Sequence, residues 1–169
     1  MKTRKKFVSN SSSSSFIIAF DKKPETEEEV KKLLFVDDEM SIEYFDYKAD
    51  VGDIAKQVFH DIKDQLPANI FEVEEEISHG WIDGHPEYQD YITEKWDSNG
   101  KNEKYREQEK QWDKASKKFN RKKAKELIKE FEGKELFVVE YADRDGNFGC
   151  VMEHGDIFEN IPHFRISKH

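Results

Sequence analysis

The chain contains few of the residues that mark specialised classes of protein. It has 169 residues and only one cysteine, Cys150, which excludes a disulfide within the chain and a disulfide-stabilised scaffold. No run of about 20 apolar residues occurs, so the sequence predicts no membrane-spanning helix. The basic residues from Met1 to Lys6 are followed by serines rather than by a long apolar segment, which argues against a signal peptide. We therefore expect a cytoplasmic protein.

Hydrophobic residues are also scarce. They make up 36% of the chain against 38% charged residues, a balance that by itself favours disorder. Aromatic residues compensate, because 13 Phe, 6 Tyr and 3 Trp bring a large apolar area per residue. A chain of this length buries roughly 70% of its unfolded surface when it folds. We expect a single folded domain over residues 1–169, with a very polar surface.

Charge is distributed unevenly along the chain, which has a net charge of -9. Residues 21–100 hold 8 basic and 23 acidic residues, a net of -15, whereas residues 101–134 hold 13 basic and 7 acidic residues, a net of +6. Such separation biases the choice and orientation of partners. Region 21–100 is therefore a candidate nucleic-acid-mimicking surface for a basic protein partner. A solvated acidic face is the alternative.

Both ends of the chain predict strands. The apolar run at residues 16–20, F-I-I-A-F, is typical of a strand covered on both faces. Residues 136–141 predict its neighbour. The turn-forming residues 143–147 then predict a hairpin in which residues 148–153 return as a strand, and residues 164–166 predict a last short strand.

The middle of the chain predicts helices. Residues 51–66 keep an amphipathic helical spacing between a capping Asp50 and the helix-ending Pro67, and shorter helices are expected at 70–78 and about 87–96. Residues 101–131 predict one long, highly charged helix. We therefore predict an α+β fold, in which a small, mainly antiparallel sheet (strands at about 7–20 and 135–166) packs with a helical middle, 25–132.

Three segments carry a resemblance to known proteins. Residues 7–16 read F-V-S-N-S-S-S-S-S-F, residues 80–86 read G-W-I-D-G-H-P, and residues 153–158 read E-H-G-D-I-F. The chain resembles a family of uncharacterised bacterial and bacteriophage proteins that begin with a few basic residues and a similar serine run flanked by Phe. The resemblance implies a bacterial or phage source and a cytoplasmic compartment, and it implies no chemistry.

The serine run is a candidate ligand site. Consecutive backbone N–H groups with small side chains form anion-binding nests, and the hydroxyls add further donors. The glycines and the Lys-Ser/Thr pair of a P-loop are absent, and a polar loop joining two strands is the alternative. The residues expected to contact a phosphate-containing ligand are Arg4, Lys6, Asn10, Ser11, Ser12, Ser13, Ser14 and Ser15.

Two further groups of residues have a possible chemistry. Imidazole and carboxylate groups near the C-terminus suit zinc or iron, although no H-E-x-x-H motif is present and isolated surface histidines are the alternative. The basic helix at 101–131 carries aromatic residues, as in proteins that bind single-stranded nucleic acid, but the favoured interpretation is that these aromatics face the core. The candidate metal ligands are His154, Asp156, His163 and His169, and the helix aromatics are Tyr105, Trp112 and Phe119.

These patterns favour a small binding or regulatory protein that recognises a phosphate-containing small molecule or nucleic acid through the serine run. A metal-dependent enzyme that uses the C-terminal His and Asp residues is one alternative. An acidic protein-interaction module is the other. No pattern identifies catalytic residues or a cofactor.

Overall fold

The computed structural model describes residues 12–36, 41–93 and 102–168, and the fold is a mixed α+β arrangement, as predicted. No described helix is long and apolar enough to cross a membrane. A short 3-10 turn, Asp143–Asp145, precedes the last helix. In chain order the elements are β1 (Ser13–Phe20), α1 (Glu27–Leu34), β2 (Ser41–Tyr44), β3 (Tyr47–Asp50), α2 (Val51–Ile62), α3 (Ile70–Ser78), α4 (Tyr88–Tyr91), α5 (Glu103–Glu130), β4 (Glu135–Ala142), α6 (Gly146–His154) and β5 (His163–Ser167).

The main sheet has three antiparallel strands in the order β4-β1-β5. β1 lies in the middle, so that Ile17 is opposite Val138 on one side and Phe164 on the other. The prediction that the first apolar run pairs with residues 136–141 is therefore confirmed. A separate two-stranded antiparallel sheet is formed by β2 and β3.

Side chains of β1 alternate between two cores. Phe16 and Ile18 belong to a core that also contains residues of α1, α2 and α6, whereas Ile17 and Ala19 belong to a core with residues of α3 and α5. All of these β1 side chains are buried, which confirms the prediction of a strand covered on both faces.

The helices begin largely where their capping residues predict. Asp50 accepts a hydrogen bond from the N–H of Gly52 at the start of α2, and Asn69 forms a full capping box with Glu72 at the start of α3. α2 ends at Ile62, before the predicted residue 66, and α4 is shorter than the predicted helix 87–96, of which residues 94–96 lie outside the described chain.

The predicted hairpin at residues 143–153 is wrong, because residues 146–154 form helix α6. As a helix, this segment buries Val151 and Met152 in the core that also contains Phe16 and Ile18. Gly149 allows the helix to lie against the end of β4, since a Cβ at this position would be 2.3 Å from the carbonyl oxygen of Ala142. Tertiary packing thus overrides the local turn signal.

Tyr141 makes the stability of the fold depend on pH in the alkaline range. Its hydroxyl donates a 2.9 Å hydrogen bond to Oδ2 of Asp61 on α2, and burial together with the Asp61 charge raises the pKa of Tyr141 well above its usual value. Above pH about 10 the unfolded state loses the tyrosine proton and the native state keeps it. Stability that is present below this pH is therefore lost as the pH rises.

We expect the free energy of unfolding of the native chain to fall by about 1.4 kcal/mol per pH unit from Tyr141 alone above pH about 10. Tyr141→Phe lacks this pH-dependent contribution. The difference in free energy of unfolding between the native chain and Tyr141→Phe should therefore become smaller as the pH rises, and urea unfolding from pH 8 to 11 would measure it. Tyr47→Phe is the matched control, because no described residue hydrogen-bonds the Tyr47 hydroxyl. A gap that stays constant for Tyr141→Phe would contradict the expectation.

Candidate functional site

The end of the serine run lies in a strand and not in a loop. Ser13, Ser14 and Ser15 form the first residues of β1. Ser14 and Ser15 pair with both neighbouring strands, whereas Ser13 pairs with β4 and its carbonyl oxygen accepts a hydrogen bond from the N–H of Lys168. Their backbone groups are therefore engaged in the sheet, and the prediction of a serine loop that offers free N–H groups is wrong for these three residues. Arg4, Lys6, Asn10 and Ser11 lie outside the described residues.

The strand period places the serine hydroxyls on opposite faces of the sheet. Ser14 and Ser15 are both fully buried. Ser14 points toward α6, where its hydroxyl reaches Glu153, whereas Ser15 lies beside Glu76 of α3. The polar end of β1 is therefore buried on both faces of the sheet, with Ser14 beside Glu153 on one face and Ser15 beside Glu76 on the other.

Glu153, in the last turn of α6, is the buried centre of the first environment. It is only 1% exposed. Its Oε2 accepts hydrogen bonds from the Ser12 hydroxyl and from the backbone N–H of Asp143, both at 3.0 Å, and its Oε1 accepts one from Ser14 at 3.2 Å. A buried carboxylate that is satisfied in this way holds β1, the end of β4 and α6 together.

Arg165 of β5 covers this centre from the solvent side. Its Nε and Nη2 donate to the Ser14 hydroxyl at 3.1 and 3.0 Å, and its guanidinium lies 5.7 Å from the centre of the Phe16 ring. The Ser14 hydroxyl therefore links the Arg165 cation to the Glu153 carboxylate. Arg165 is exposed, and its Nη1 has no hydrogen-bond partner among the described residues.

His154 completes the group, which we call the rim cluster (Ser12, Ser14, Glu153, His154 and Arg165). Its Nδ1 lies 3.2 Å from Nη2 of Arg165, and its Nε2 lies 3.4 Å from the Ser12 hydroxyl. The imidazole stacks on Tyr44 with 4.8 Å between ring centres. Because a guanidinium only donates, Nδ1 must accept, and the proton of a neutral His154 is on Nε2.

This tautomer decides what the rim cluster can do. A general base must present an unprotonated nitrogen to the hydroxyl that it activates. Here the protonated Nε2 faces Ser12, and Ser12 gives its own proton to Glu153. The arrangement therefore differs from a catalytic triad and is better suited to binding.

The single cysteine is not activated as a nucleophile either. Burial raises the pKa of the Cys150 thiol, and the nearby charges of Asp143 and Glu153 raise it further.

Comparison of the chain with protein-family models, with curated proteins and with solved structures gives no match. The resemblance to bacterial and phage proteins therefore stays a prediction.

The predicted metal ligands lie in different surroundings. His154 belongs to the rim cluster, Asp156 is exposed in a left-handed turn with φ of 50°, and His163 Nδ1 lies 3.0 Å from the carbonyl oxygen of Ile161. Over residues 12–36, 41–93 and 102–168, no three His, Cys, Asp or Glu residues come together as a metal-binding group. His169 lies outside these ranges.

The aromatic residues of α5 pack against the segment between α3 and α5. Trp112 Nε1 donates to the carbonyl oxygen of Pro86 at 3.0 Å, Phe119 lies 5.2 Å from the His85 ring, and the Tyr105 hydroxyl bonds to that of Tyr88. These contacts favour the interpretation in which the aromatics face inward.

The acidic region contributes a groove of about 530 Å³ beside α3. Glu72, Glu75 and Glu76 line it together with His79. Although burial alone would raise the pKa of Glu76, the hydrogen bond and charge of Lys168 lower it below its usual value. The groove is thus negatively charged, and its use by a basic protein partner stays a prediction.

Sequence reasoning missed Arg165, and it grouped Glu153 with the acidic and histidine residues near the C-terminus without connecting it to the serines. The predicted hairpin placed Glu153 at the end of a returning strand, where it had no partner among the serines. Arg165 offered one signal, since it lies between apolar Phe164 and Ile166 and its side chain must leave the strand on the face opposite to theirs. The partner on that face is Ser14, which follows from the pairing of β1 with β5.

Proposed function

We propose that this chain is a cytoplasmic binding protein that recognises a phosphate-containing ligand at the rim cluster. The observation that carries the proposal is the guanidinium of Arg165. It is exposed, held in one orientation by Ser14 and His154, and has an Nη1 group with no partner among the described residues. A guanidinium fixed in this way is prepared to bind an oxyanion without losing further side-chain freedom.

Phosphate suits the cluster because its oxygens accept several hydrogen bonds at once. The Ser12 hydroxyl and the His154 imidazole are partly exposed beside Arg165. Ser12 is able to donate to an anion when its bond to Glu153 is exchanged, and Nε2 of His154 is able to donate when its contact with Ser12 is exchanged. Arg4, Lys5 and Lys6 precede Ser12 in the sequence and lie outside the described residues. The negative charge of the buried Glu153 balances the positive charge of Arg165. An anion therefore binds only if its interaction with Arg165 outweighs the attraction between Arg165 and Glu153.

The test is the ligand-induced change in melting temperature. Inorganic phosphate and O-phosphoserine at 1 to 50 mM should raise the melting temperature in a saturable way, by about 2 to 6 °C when the ligand exceeds its Kd tenfold. Arg165→Gln should abolish this shift, and Arg165→Lys should retain only part of it, because Lys keeps the charge and loses the planar fork.

Each variant is compared with its own ligand-free melting temperature, so that any intrinsic destabilisation cancels. Arg144→Gln is the matched control, since Arg144 is exposed on the short turn before α6 and outside the rim cluster. A shift that is equal in native protein and Arg165→Gln, or a native protein that shows none, refutes the proposal.

A further inference from the structure

Trp81 is an exposed aromatic residue on a rigid support. Its side chain is 60% exposed, while its backbone N–H donates a 2.7 Å hydrogen bond to the carbonyl oxygen of Ser167 at the end of β5. The preceding Gly80 allows this close approach, because a Cβ there would lie 2.1 Å from Cγ2 of Ile166. The indole is thus held at the outer edge of the sheet and faces solvent.

Two open grooves meet at Trp81. One has a volume of about 430 Å³ and is also lined by Lys123, Phe164 and Arg165. The other, of about 450 Å³, is also lined by His85 and other residues between α3 and α5. In the first groove the Lys123 ammonium lies 4.8 Å from the centre of the Phe164 ring. A flat ring that enters either groove meets the indole. A negative group in the first groove meets the Lys123 ammonium, although Asp83 also lines this groove.

The helix beside the first groove is strongly basic. Residues 114–125 of α5 contain seven Lys or Arg residues and no Asp or Glu. Within the described chain only Lys117 and Lys122 of these form ion pairs, with Asp113 and Glu126. This basic segment is about 17 Å long at 1.5 Å per residue, which is longer than a single phosphate group requires.

We propose that Trp81 and the basic segment 114–125 bind single-stranded nucleic acid. An unpaired base stacks on the indole of Trp81, and phosphates along the strand contact Lys123 and the exposed cations of α5. This inference goes beyond the proposed function, because α5 and Phe164 lie on the face of the sheet opposite to the rim cluster. Aromatic stacking combined with a basic track is the usual basis of such binding.

Charge and exposure favour this occupant over the alternatives. An acidic peptide satisfies the cations but leaves the exposed indole without a flat ring to stack on. Duplex nucleic acid keeps its bases stacked on each other, so that Trp81 has no base face to contact. The acidic residues of region 21–100 oppose binding less than their number suggests, since the Debye length is about 8 Å at physiological salt.

The test measures the anisotropy of fluorescein-labelled 15-nucleotide dT and U strands with the full chain at 50 and 200 mM NaCl. Binding should weaken about tenfold between these salt concentrations. Trp81→Ala should weaken binding about fivefold or more, and Lys123→Gln should weaken it and reduce the salt dependence. Quenching of Trp81 fluorescence should accompany binding.

The matched controls are Phe71→Ala, an exposed aromatic on α3, and Lys32→Gln, an exposed cation on α1. Both should bind like the native chain. Equal affinity for a 15-base-pair duplex, equal competition by poly-glutamate, or unchanged binding by Trp81→Ala would overturn the inference. If phosphate still stabilises through Arg165 in any of these cases, the proposed function stands without it. Oligonucleotide binding through Trp81 without an Arg165-dependent phosphate shift would overturn the proposed function alone.

Discussion

Glu153→Ala should lower the free energy of unfolding by about 3 to 5 kcal/mol. The substitution removes a buried acceptor and leaves the hydroxyls of Ser12 and Ser14 and the N–H of Asp143 without their partner. It also leaves Arg165 without the nearby negative charge. For a chain of this size the melting temperature should fall by about 10 °C or more, which differential scanning calorimetry would measure.

Glu153→Gln should cost less, about 1 to 3 kcal/mol, because the amide keeps one acceptor oxygen and the shape of the side chain. Glu159→Ala is the matched control, since Glu159 is exposed just beyond α6. It should change stability by less than about 0.5 kcal/mol. If Glu153→Ala and Glu159→Ala prove equally stable, Glu153 does not hold the three segments together.

Phe137→Ala should have a comparable effect, about 3 to 5 kcal/mol. Phe137 lies in the middle of β4 and is fully buried, with 6.1 Å between its ring centre and that of Phe20. The Lys23 ammonium lies 5.6 Å from the same ring, so the aliphatic part of Lys23 also loses a surface to cover. Removing the ring opens a cavity in the core between the sheet and helices α1, α2 and α6.

Phe71→Ala, the same substitution at a side chain that is 70% exposed, should cost less than about 0.5 kcal/mol. Urea unfolding of the three proteins at pH 7 would give both differences directly. If Phe137→Ala lowered the free energy of unfolding as little as Phe71→Ala does, the buried position of Phe137 would not stabilise the core between the sheet and the helices.

Sequence patterns predicted the parts of the fold that depend on local chemistry. The apolar run of β1 and the capping residues Asp50 and Asn69 each specify an element through contacts within a few residues of the chain. α6 was missed because its identity depends on distant partners. Gly146 indicates a turn locally, and residues 148–153 fit a strand; the close approach of Gly149 to Ala142, which allows the helix to lie against β4, cannot be read from the local sequence.

The candidate site was only partly predictable for a related reason. The serine run indicated a polar feature at the edge of the sheet, and Ser12, Ser14 and His154 do belong to one cluster. Which charged groups meet these residues is decided by strand register, since Arg165 is opposite Phe16 and its side chain lies on the same face as that of Phe16. A single sequence gives the strands but not their register.

The pairing of β1 has a consequence for synthesis of the chain. Even its nearest contact along the sequence, Phe20 with Glu135, joins residues that are 135 − 20 = 115 positions apart. At a translation rate of about 5 to 20 residues per second, the segment F-I-I-A-F leaves the ribosome roughly 6 to 23 seconds before any strand of its sheet exists. During that interval the nascent chain exposes this apolar segment, and chaperones that capture newly made polypeptides should find their first binding site there.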